Sequence, residues 1–252
     1  MTDLPLSGRL ALVTGASAGI GAAAARAFAA AGAHVVCSAR RTDRLEAVVG
    51  DCASAEALTL DVTDGDACAA ALGERPFDIV LANAGIALGT QGLADGDVSA
   101  WGEVIDTNIK GVLNTLRPVL AGMRDRGSGH AITLGSVAGR QVYPGGNVYC
   151  ATKFAVRALY EAMRVELAGS GMRFTTVDPG MVKTEFSLSR FAGDQEKADA
   201  IYAGMTPLSS EDVADAILWA ATRPPHVDVG EIVLWPTDQA STTLVHRSEP
   251  LD

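Results

Sequence analysis

Tyr149 and Lys153 lie four residues apart, and their side chains could together transfer a proton. On a helix this spacing places both side chains on one face, so that an ammonium can lie beside a phenol. A free tyrosine has a pKa of about 10, and a neighbouring positive charge favours the phenolate and lowers that value. The pair could therefore perform acid/base chemistry. A surface helix can show the same spacing by chance, so the elements around the pair must decide between the two interpretations.

The composition is typical of one α/β enzyme domain. Hydrophobic residues make up 48% of the 252 residues and charged residues 20%, which allows a sizeable buried core. The net charge of −10 argues against binding to nucleic acid or to an anionic membrane, because such a surface would repel phosphates. The N-terminus lacks the basic start and apolar run of a signal peptide, which predicts a cytoplasmic protein. The cysteines and histidines are scattered without metal-binding spacing, so we expect free thiols and no metal site.

Apolar strands alternate with helices along nearly the whole chain. Strands are predicted at 9–14, 33–38, 57–60, 77–82, 130–134, 173–177 and 231–234. Helices are predicted at 22–32, 42–49, 64–72, 98–123, 147–168 and 211–221. Such alternation implies parallel strands joined by right-handed crossovers, hence a single doubly wound, Rossmann-like α/β domain over residues 1–252 with about seven strands. The segment 182–206 is polar and irregular, which predicts a mobile loop.

A glycine-rich turn lies between the first strand and the first helix. It contains Gly15, Ser17, Gly19, Ile20 and Gly21. Glycines permit a close approach of backbone to ligand, and the free N–H groups at a helix N-terminus favour a pyrophosphate. The glycine spacing differs from the usual dinucleotide fingerprint, so its position between strand and helix carries the prediction of a dinucleotide site.

Two arginines follow the second strand, where an NAD-binding site normally carries an acid for the adenosine ribose. Arg40 and Arg41 instead offer paired donors that match a phosphate, which predicts NADP(H) as the cofactor. A solvated arginine pair at a helix start is the alternative. Further cofactor contacts are predicted from residues that follow the third and fourth strands, namely Asp61, Val62, Asn83, Ala84 and Gly85.

Together these motifs resemble the short-chain dehydrogenase/reductase family. The resemblance rests on the glycine turn, Asp61-Val62, the run 82–85, Asn108, Ser136, Tyr149 and Lys153, which occur in the family's order. It implies that Tyr149 donates or accepts a proton and that Lys153 lowers its pKa and holds the nicotinamide ribose. It also implies that Ser136 binds the substrate oxygen beside Tyr149 and that Asn108 supports a water-linked proton relay.

The family resemblance extends to the segment after the sixth strand and to the assembly. Pro179, Gly180, Val182 and Thr184 resemble the family's contacts to the carboxamide and pyrophosphate. The residues beyond them, 185–206, would form a substrate lid. Members of the family are commonly homotetramers that pack their long helices between subunits, so we expect a homotetramer here.

Within the family, the sequences around Tyr149, Lys183 and Pro236 resemble NADP-dependent 3-hydroxy acid (serine-type) dehydrogenases and clavulanate-type aldehyde reductases. A hydroxy acid needs a cation for its carboxylate, and several cations lie in segments that could approach the site, namely Arg140, Lys183, Arg190 and Lys197. Each could equally be a solvated surface charge. The alternatives are a reductase of neutral aldehydes or ketones and a non-catalytic NADP-binding protein, which would be expected to lose Ser136, Tyr149 or Lys153.

Overall fold

The strands form one sheet close to the predicted positions. A computed structural model describes residues 4–248. Its strands are Leu10–Thr14 (β1), His34–Ala39 (β2), Ala55–Thr59 (β3), Ile79–Ala82 (β4), Gly129–Leu134 (β5), Met172–Pro179 (β6) and Glu231–Leu234 (β7). Each neighbouring pair is parallel, in the order β3-β2-β1-β4-β5-β6-β7. The predicted doubly wound, seven-stranded α/β fold is confirmed.

Helices cover both faces of this sheet. They are Gly19–Ala30 (α1), Thr42–Gly50 (α2), Gly65–Leu72 (α3), Val98–Ile105 (α4), Gly111–Arg126 (α5), Asn147–Glu166 (α6), Glu185–Arg190 (α7), Gln195–Ala200 (α8) and Ser210–Ala221 (α9). Strands buried on both faces need apolar side chains at successive positions, which explains the nearly unbroken apolar sequences of β1 and β4. Across residues 4–248, no helix combines the length and the apolar character needed to cross a membrane.

Two hydrophobic layers hold the helices against the sheet. Ala11 and Val13 of β1 belong to one layer, with Phe28 of α1, while Leu12 belongs to the other, with Tyr160 of α6. This division follows from the alternation of side chains along a strand. Burial of a large apolar side chain stabilises a fold by about 1.5–3 kcal/mol. The sheet is therefore a rigid support for the loops at its edge.

The helical region predicted at 98–123 is divided in the structure. α4 ends at Ile105, Asp106–Lys110 form a π-helix, and α5 continues to Arg126. α5 ends where Gly127 adopts a left-handed conformation with φ of +67°, which glycine accommodates without strain. The predicted helical region is therefore confirmed, and the π-helix in its middle was not predicted.

The segment 182–206 is more ordered than predicted. It contains α7 and α8, each of six residues, and the side chains of Thr184 and Asp194 cap their N-termini. Helices of fewer than two turns show no apolar period, so their caps and their packing define them. The predicted irregular structure was wrong for these two stretches.

The carboxyl ends of the strands form the edge at which a ligand can bind. β1 lies between β2 and β4, so the order of winding reverses there. At such a reversal the following loops separate and leave a crevice outside the strand ends. The loops after β1, β4, β5 and β6 therefore meet at one edge of the sheet.

Candidate active site

A cleft of about 400 Å³ opens at this edge. The residues predicted to contact the cofactor line it, namely Gly15, Ser17, Gly19, Ile20, Gly21, Arg40, Arg41, Asp61, Val62, Asn83, Ala84, Gly85, Tyr149, Lys153, Pro179, Gly180, Val182 and Thr184. Ser136 lines the cleft as well, whereas Asn108 lies behind it, fully buried. The fold thus brings together predicted residues from both halves of the chain.

The glycine turn packs against the strand end next to it. A Cβ on Gly15 would lie 2.8 Å from Asn83 Nδ2 and 2.9 Å from Ala84 Cα, and the φ of Gly15 is +66°. A Cβ on Gly21 would lie 2.5 Å from the Gly15 carbonyl oxygen. Asn83 Nδ2 donates to the Thr14 carbonyl oxygen at 2.7 Å and fixes this arrangement. Only glycine fits at these two positions, so the backbone stays open toward the cleft.

The start of α1 offers the donors that a pyrophosphate requires. The residue before α1 is Ala18, whose side chain has no oxygen, so it caps none of the first N–H groups. Free N–H groups and the helix dipole together favour an anion at this position. The turn and the helix start therefore fit the pyrophosphate of a dinucleotide.

Lys153 is the buried cation of the site. Its side chain is 6% exposed and its Nζ donates to the Leu134 carbonyl oxygen at 2.8 Å. Nζ lies 5.9 Å from the centroid of the Tyr149 ring, as expected for two residues on one face of α6. Burial lowers the pKa of Lys153 to about 8, and the charge of Asp178 acts in the opposite direction. The residue can therefore change its charge near the pH at which enzymes work.

Tyr149, the other member of the pair, is half-buried and lines the cleft. Burial raises its pKa, with a further contribution from Tyr143, while a hydrogen bond with Ser136 and the charge of Arg190 act in the opposite direction. Desolvation is the largest of these effects, so the pKa of Tyr149 lies above its ordinary value, whereas the family resemblance implied a lowered one. The phenol is consequently protonated at neutral pH and can donate a proton.

Asn108 connects the loop after β4 to α6 from its place in the π-helix. Its Oδ1 accepts from the Ile86 N–H at 2.8 Å, and its Nδ2 donates to the Ile86 carbonyl oxygen at 2.9 Å. Nδ2 also donates to Thr152 Oγ1 at 3.0 Å. Since Thr152 precedes Lys153, these bonds position the lysine relative to the cleft.

The predicted arginines lie at the end of the cleft next to β2, where the prediction places the adenosine and which is called the adenosine end below, and they have different partners. Arg40 is directed toward Asp61, at 3.7 Å between Nη1 and Oδ2. Desolvation raises the pKa of Asp61, but hydrogen bonds from Thr63 and the charge of Arg40 outweigh it, so the pKa lies below its usual value. Arg41 Nη2 donates to Ser17 Oγ of the glycine turn at 3.1 Å. Both arginines line the cleft and both remain open to solvent, with 68% of the Arg40 side chain and 46% of the Arg41 side chain exposed.

Sequence reasoning missed Arg44 and Glu185 at the same end. The Glu185 carboxylate accepts from Arg41 Nη1 at 3.1 Å and also binds Arg44 Nη1. Arg44 follows Arg41 by three residues at the start of α2, which places both on one side of the helix. That spacing was a usable signal for Arg44. No signal in the sequence indicates Glu185, because its partners lie far away in the chain.

Phe186 and Ser189 of α7 also line the cleft; both lie in the segment predicted as a lid, but neither was predicted individually as a site residue. The Phe186 ring packs against Tyr149, with centroids 5.4 Å apart and planes inclined by 57°. This tilted contact belongs to the favourable range for aromatic pairs. α7 thus closes the substrate end of the cleft over the phenol.

The candidate substrate cations separate into two groups. Arg140 binds both Asp178 and Glu231, so carboxylates of the fold already neutralise it. Lys183 and Lys197 are exposed, with side chains 64% and 69% accessible, and each has a carboxylate of α8 or its cap within 4.0 Å. The interpretation of these three as structural or surface charges is therefore favoured.

Arg190, the last residue of α7, differs from them. Its guanidinium donates to the carbonyl oxygens of Gly89 and Gly145, at 3.3 and 3.0 Å, and to Tyr143 Oη at 2.6 Å. Within residues 4–248, no carboxylate lies within salt-bridge distance of it. Its positive charge also favours the ionised form of Tyr149. Arg190 itself does not line the cleft, but its positive charge lies at the end of the helix whose Phe186 and Ser189 do.

The remaining titratable groups of the interior are structural. Burial raises the pKa of Cys37 to about 12 and that of Cys68 to about 11, so both thiols remain protonated. Burial likewise lowers the pKa of His130 to about 3, and the neutral ring bonds to Thr175. In the part of the chain that the structure describes, no group of three or more His, Cys, Asp or Glu side chains could hold a metal ion.

The fold and the cleft are those of a dinucleotide-dependent oxidoreductase, with a glycine turn that fits a phosphate at one end and a tyrosine, a lysine and a serine at the other. A family model described as short chain dehydrogenase matches residues 9–195. The chain belongs to the short-chain dehydrogenase/reductase family. The resemblance identified from the sequence motifs is confirmed.

Several relatives with named activities are similar to this chain. The chain is 42% identical to a sulfoacetaldehyde reductase of Chromohalobacter salexigens over 214 residues, which cover 81% of this chain and 85% of that protein. It is 42% identical to an NADP-dependent 3-hydroxy acid dehydrogenase of Salmonella typhi over 212 residues, 81% of this chain and 85% of that protein. The closed form of a serine dehydrogenase complexed with NADP+ superposes with a TM-score of 0.90 at 39% identity, covering 95% of this chain and 100% of that one. The protein is an NADP(H)-dependent oxidoreductase that transfers a hydride at a carbinol or carbonyl carbon.

Proposed function

We propose that Tyr149, Lys153 and Ser136 perform the proton transfer of this reaction on small 3-hydroxy acids. The observation that carries the proposal is the placement of the Tyr149 phenol, which lines the cleft together with Ser136 and lies on one helix face with a buried lysine whose Nζ is 5.9 Å from the centroid of the phenol ring. When bound, the nicotinamide supplies or accepts the hydride. The side chains of the protein supply the proton and stabilise the charge that develops on the substrate oxygen.

Each side chain has a separate task in carbonyl reduction. The Tyr149 phenol donates its proton to the substrate oxygen, and the Ser136 hydroxyl donates a hydrogen bond to the same atom. The Lys153 ammonium holds the nicotinamide ribose, and its charge favours the phenolate that remains on Tyr149. Asn108 maintains the position of α6 and supports a water-linked path that returns the proton. In the direction of oxidation, the same groups act in reverse.

The cofactor is proposed to lie along the whole cleft. The pyrophosphate would bind the glycine turn at Gly15, Ser17, Gly19, Ile20 and Gly21, and Arg40 and Arg41 would bind the 2′-phosphate. Asp61 and Val62 would contact the adenine, and Asn83, Ala84 and Gly85 the adenosine ribose. The nicotinamide carboxamide would contact Pro179, Gly180, Val182 and Thr184. All of these residues line the cleft, which supports the assignment.

The substrate class is supported by the charge of Arg190. A guanidinium without a carboxylate partner in residues 4–248 is suited to a carboxylate on the substrate, because buried or partly buried charges are normally paired. Relatives at similar identity are named for a 3-hydroxy acid, for serine and for sulfoacetaldehyde, all of which carry an anionic group. We therefore expect an anionic substrate, with a 3-hydroxy acid as the first choice.

An activity screen tests this substrate class. Purified protein should oxidise 3-hydroxy acids with NADP+ and should turn over matched neutral alcohols at least about tenfold less efficiently, as expected for loss of one charged hydrogen bond. Replacement Arg190→Gln should raise the KM of the hydroxy acid and leave that of a neutral aldehyde within twofold, a margin of under about 0.5 kcal/mol. Turnover of neutral aldehydes or ketones alone would instead show a reductase of uncharged carbonyls. No turnover with any of them would favour a non-catalytic NADP-binding protein.

We further propose that the protein is a cytoplasmic homotetramer in which residues 185–206 form a substrate lid. Support for an assembly comes from a surface groove between α5 and α6 lined by Leu113, Leu120 and Leu159. Support for the lid comes from Phe186, which packs against Tyr149. Light scattering should give a mass of four subunits of 26.0 kDa each, and a monomer mass would contradict the tetramer.

A further inference from the structure

The strongest unexplained contact in the cleft joins α7 to the adenosine end. Glu185, the first residue of α7, binds Arg41 at 3.1 Å through one carboxylate oxygen and Arg44 through the other. Arg41 simultaneously holds Ser17 of the glycine turn. A carboxylate from the lid thus occupies the donors that the proposed 2′-phosphate would need.

Electrostatics keep this carboxylate ionised. A hydrogen bond from Arg44 lowers the pKa of Glu185, desolvation acts against it, and Arg41 lowers it further, so that the pKa lies below its usual value. A charged carboxylate shared by two guanidiniums resembles a bound phosphate in charge and in donor geometry. Glu185 is therefore a phosphate mimic supplied by the chain itself.

The contact is suited to displacement. The side chains of Arg41, Arg44 and Glu185 are 46%, 47% and 44% exposed, and exposed ion pairs contribute little net stability. A phosphate monoester carries a charge of about −1.5 to −2 and three acceptor oxygens, so it binds the same arginines more strongly than one carboxylate. Two anions cannot share these donors without repulsion. Binding of a 2′-phosphate must therefore weaken the contact of Glu185.

The next residues of α7 connect this contact to the catalytic end. Thr184 Oγ1 accepts from the Phe186 N–H at 3.2 Å and caps the helix, and Phe186 packs on Tyr149. Displacement of the Glu185 carboxylate therefore frees the start of α7 from the arginines, at the residue between the Thr184 cap and the phenylalanine that covers the phenol. NADH lacks the phosphate, so it has no group that would replace the carboxylate on the arginines.

We propose that Glu185 is a latch that competes with the 2′-phosphate of NADP(H) for Arg41 and Arg44, so that loading of the phosphorylated cofactor releases α7. The inference rests on the proposed arginine site and extends it with Arg44 as a third phosphate contact. Because the Glu185 carboxylate competes with the 2′-phosphate only, Glu185 weakens the binding of NADPH and not that of NADH, and so reduces the preference for NADPH.

Equilibrium binding tests the latch without use of activity. Dissociation constants of NADPH and NADH are measured by nicotinamide fluorescence for the full-length protein at low salt. Replacement Glu185→Gln should lower the Kd of NADPH about 3- to 10-fold, because the two exposed ion pairs no longer compete. The Kd of NADH should change less than twofold. The matched control is Glu196→Gln, which removes an exposed carboxylate of the same segment and should leave both constants unchanged.

A double variant separates the latch from the arginine site. Replacement of both Arg41 and Arg44 by Gln should raise the Kd of NADPH, and in that background Glu185→Gln should have less than a twofold effect. If the arginine variants raise the Kd but Glu185→Gln leaves it unchanged or raises it, the latch is wrong and the arginine site stands. If the arginine variants leave the Kd of NADPH unchanged, the arginine site itself is wrong.

Discussion

The two ends of the cleft use positive charge in opposite ways. At the catalytic end, Lys153 is 6% exposed and donates to a neutral carbonyl, so desolvation dominates its pKa. At the adenosine end, Arg41 and Arg44 are nearly half exposed and share a carboxylate. Because the lysine is buried, removal of one atom near it should change activity strongly, and added salt should change it little. The ion pairs at the exposed end are screened by salt, so their effect on cofactor binding should fall as salt is added. One cleft thus uses a buried charge for the proposed proton transfer and exposed charges for the proposed choice between NADPH and NADH.

The largest expected effect is at the buried end. Replacement Tyr149→Phe removes only the phenolic oxygen and should lower kcat by roughly 10²- to 10⁴-fold, the usual contribution of a general acid. The Kd of NADPH should remain within twofold, a margin of under about 0.5 kcal/mol, because the proposed ribose contact is through Lys153. Steady-state kinetics and cofactor fluorescence give both values. Unchanged NADPH-dependent reduction by the variant would show that Tyr149 is not the acid.

A smaller effect is expected at the exposed end. Replacement Arg41→Gln removes a charged donor for the 2′-phosphate and should raise the KM of NADPH by about 10- to 100-fold, with a change of less than about threefold for NADH. The effect should shrink as salt is added, because the Debye length falls from about 10 Å at 0.1 M to about 3 Å at 1 M.

Arg26→Gln is the matched control for the exposed end. Arg26 of α1 is 43% exposed and pairs with Asp51 rather than with a cleft residue, so its loss should leave both KM values unchanged. If Arg41→Gln raised the KM of NADPH and the KM of NADH equally, the proposal that Arg41 recognises the 2′-phosphate would be wrong. The arginine would then serve the fold rather than the phosphate.

The smallest expected effect is a pH dependence of stability from Lys153. The pKa of this lysine is about 8 in the folded protein and 10.5 when unperturbed. Between these values the unfolded chain binds more protons, so the contribution of Lys153 to stability rises with pH. The destabilisation from its burial is fully present below about pH 8 and is relieved above it. From pH 7.5 to 9 the gain should be about 1 kcal/mol.

Urea unfolding of the cofactor-free protein at the two pH values measures this gain. The free energy of unfolding of wild type relative to Lys153→Met should increase by that amount, since other titrating groups cancel in the difference. The exposed Lys110, 65% accessible, provides the control variant Lys110→Met, for which the difference should stay constant. A constant difference for Lys153→Met as well would mean that the buried amine stays protonated up to pH 9 in the folded protein, so that burial does not lower its pKa.

The sequence predicted the parts of this architecture that local chemistry determines. Apolar runs defined the strands, and the position of Gly15 and Gly21 between strand and helix defined the turn. The contact of Glu185 with Arg44 could not be predicted, because it joins residues 141 positions apart through a loop without a pattern. The direction of the Tyr149 pKa was also beyond the sequence, since it depends on how much protein surrounds the phenol. The spacing of residues in the sequence shows which side chains can come together, whereas the burial of those side chains in the fold shifts their pKa values.

The π-helix at Asp106–Lys110 has a consequence for the phase of the long helical region. One additional residue per turn rotates everything that follows by about 100° around the helix axis. The buried face of α5 is therefore rotated relative to that of α4, and one helical wheel drawn for both helices would not superpose the two faces. We expect that deletion of Thr107 would restore regular hydrogen bonding and yet rotate Asn108 away from Ile86 and Thr152. The π-helix therefore holds Asn108 at the angle at which it bonds both Ile86 and Thr152, and a regular helix would lose these bonds.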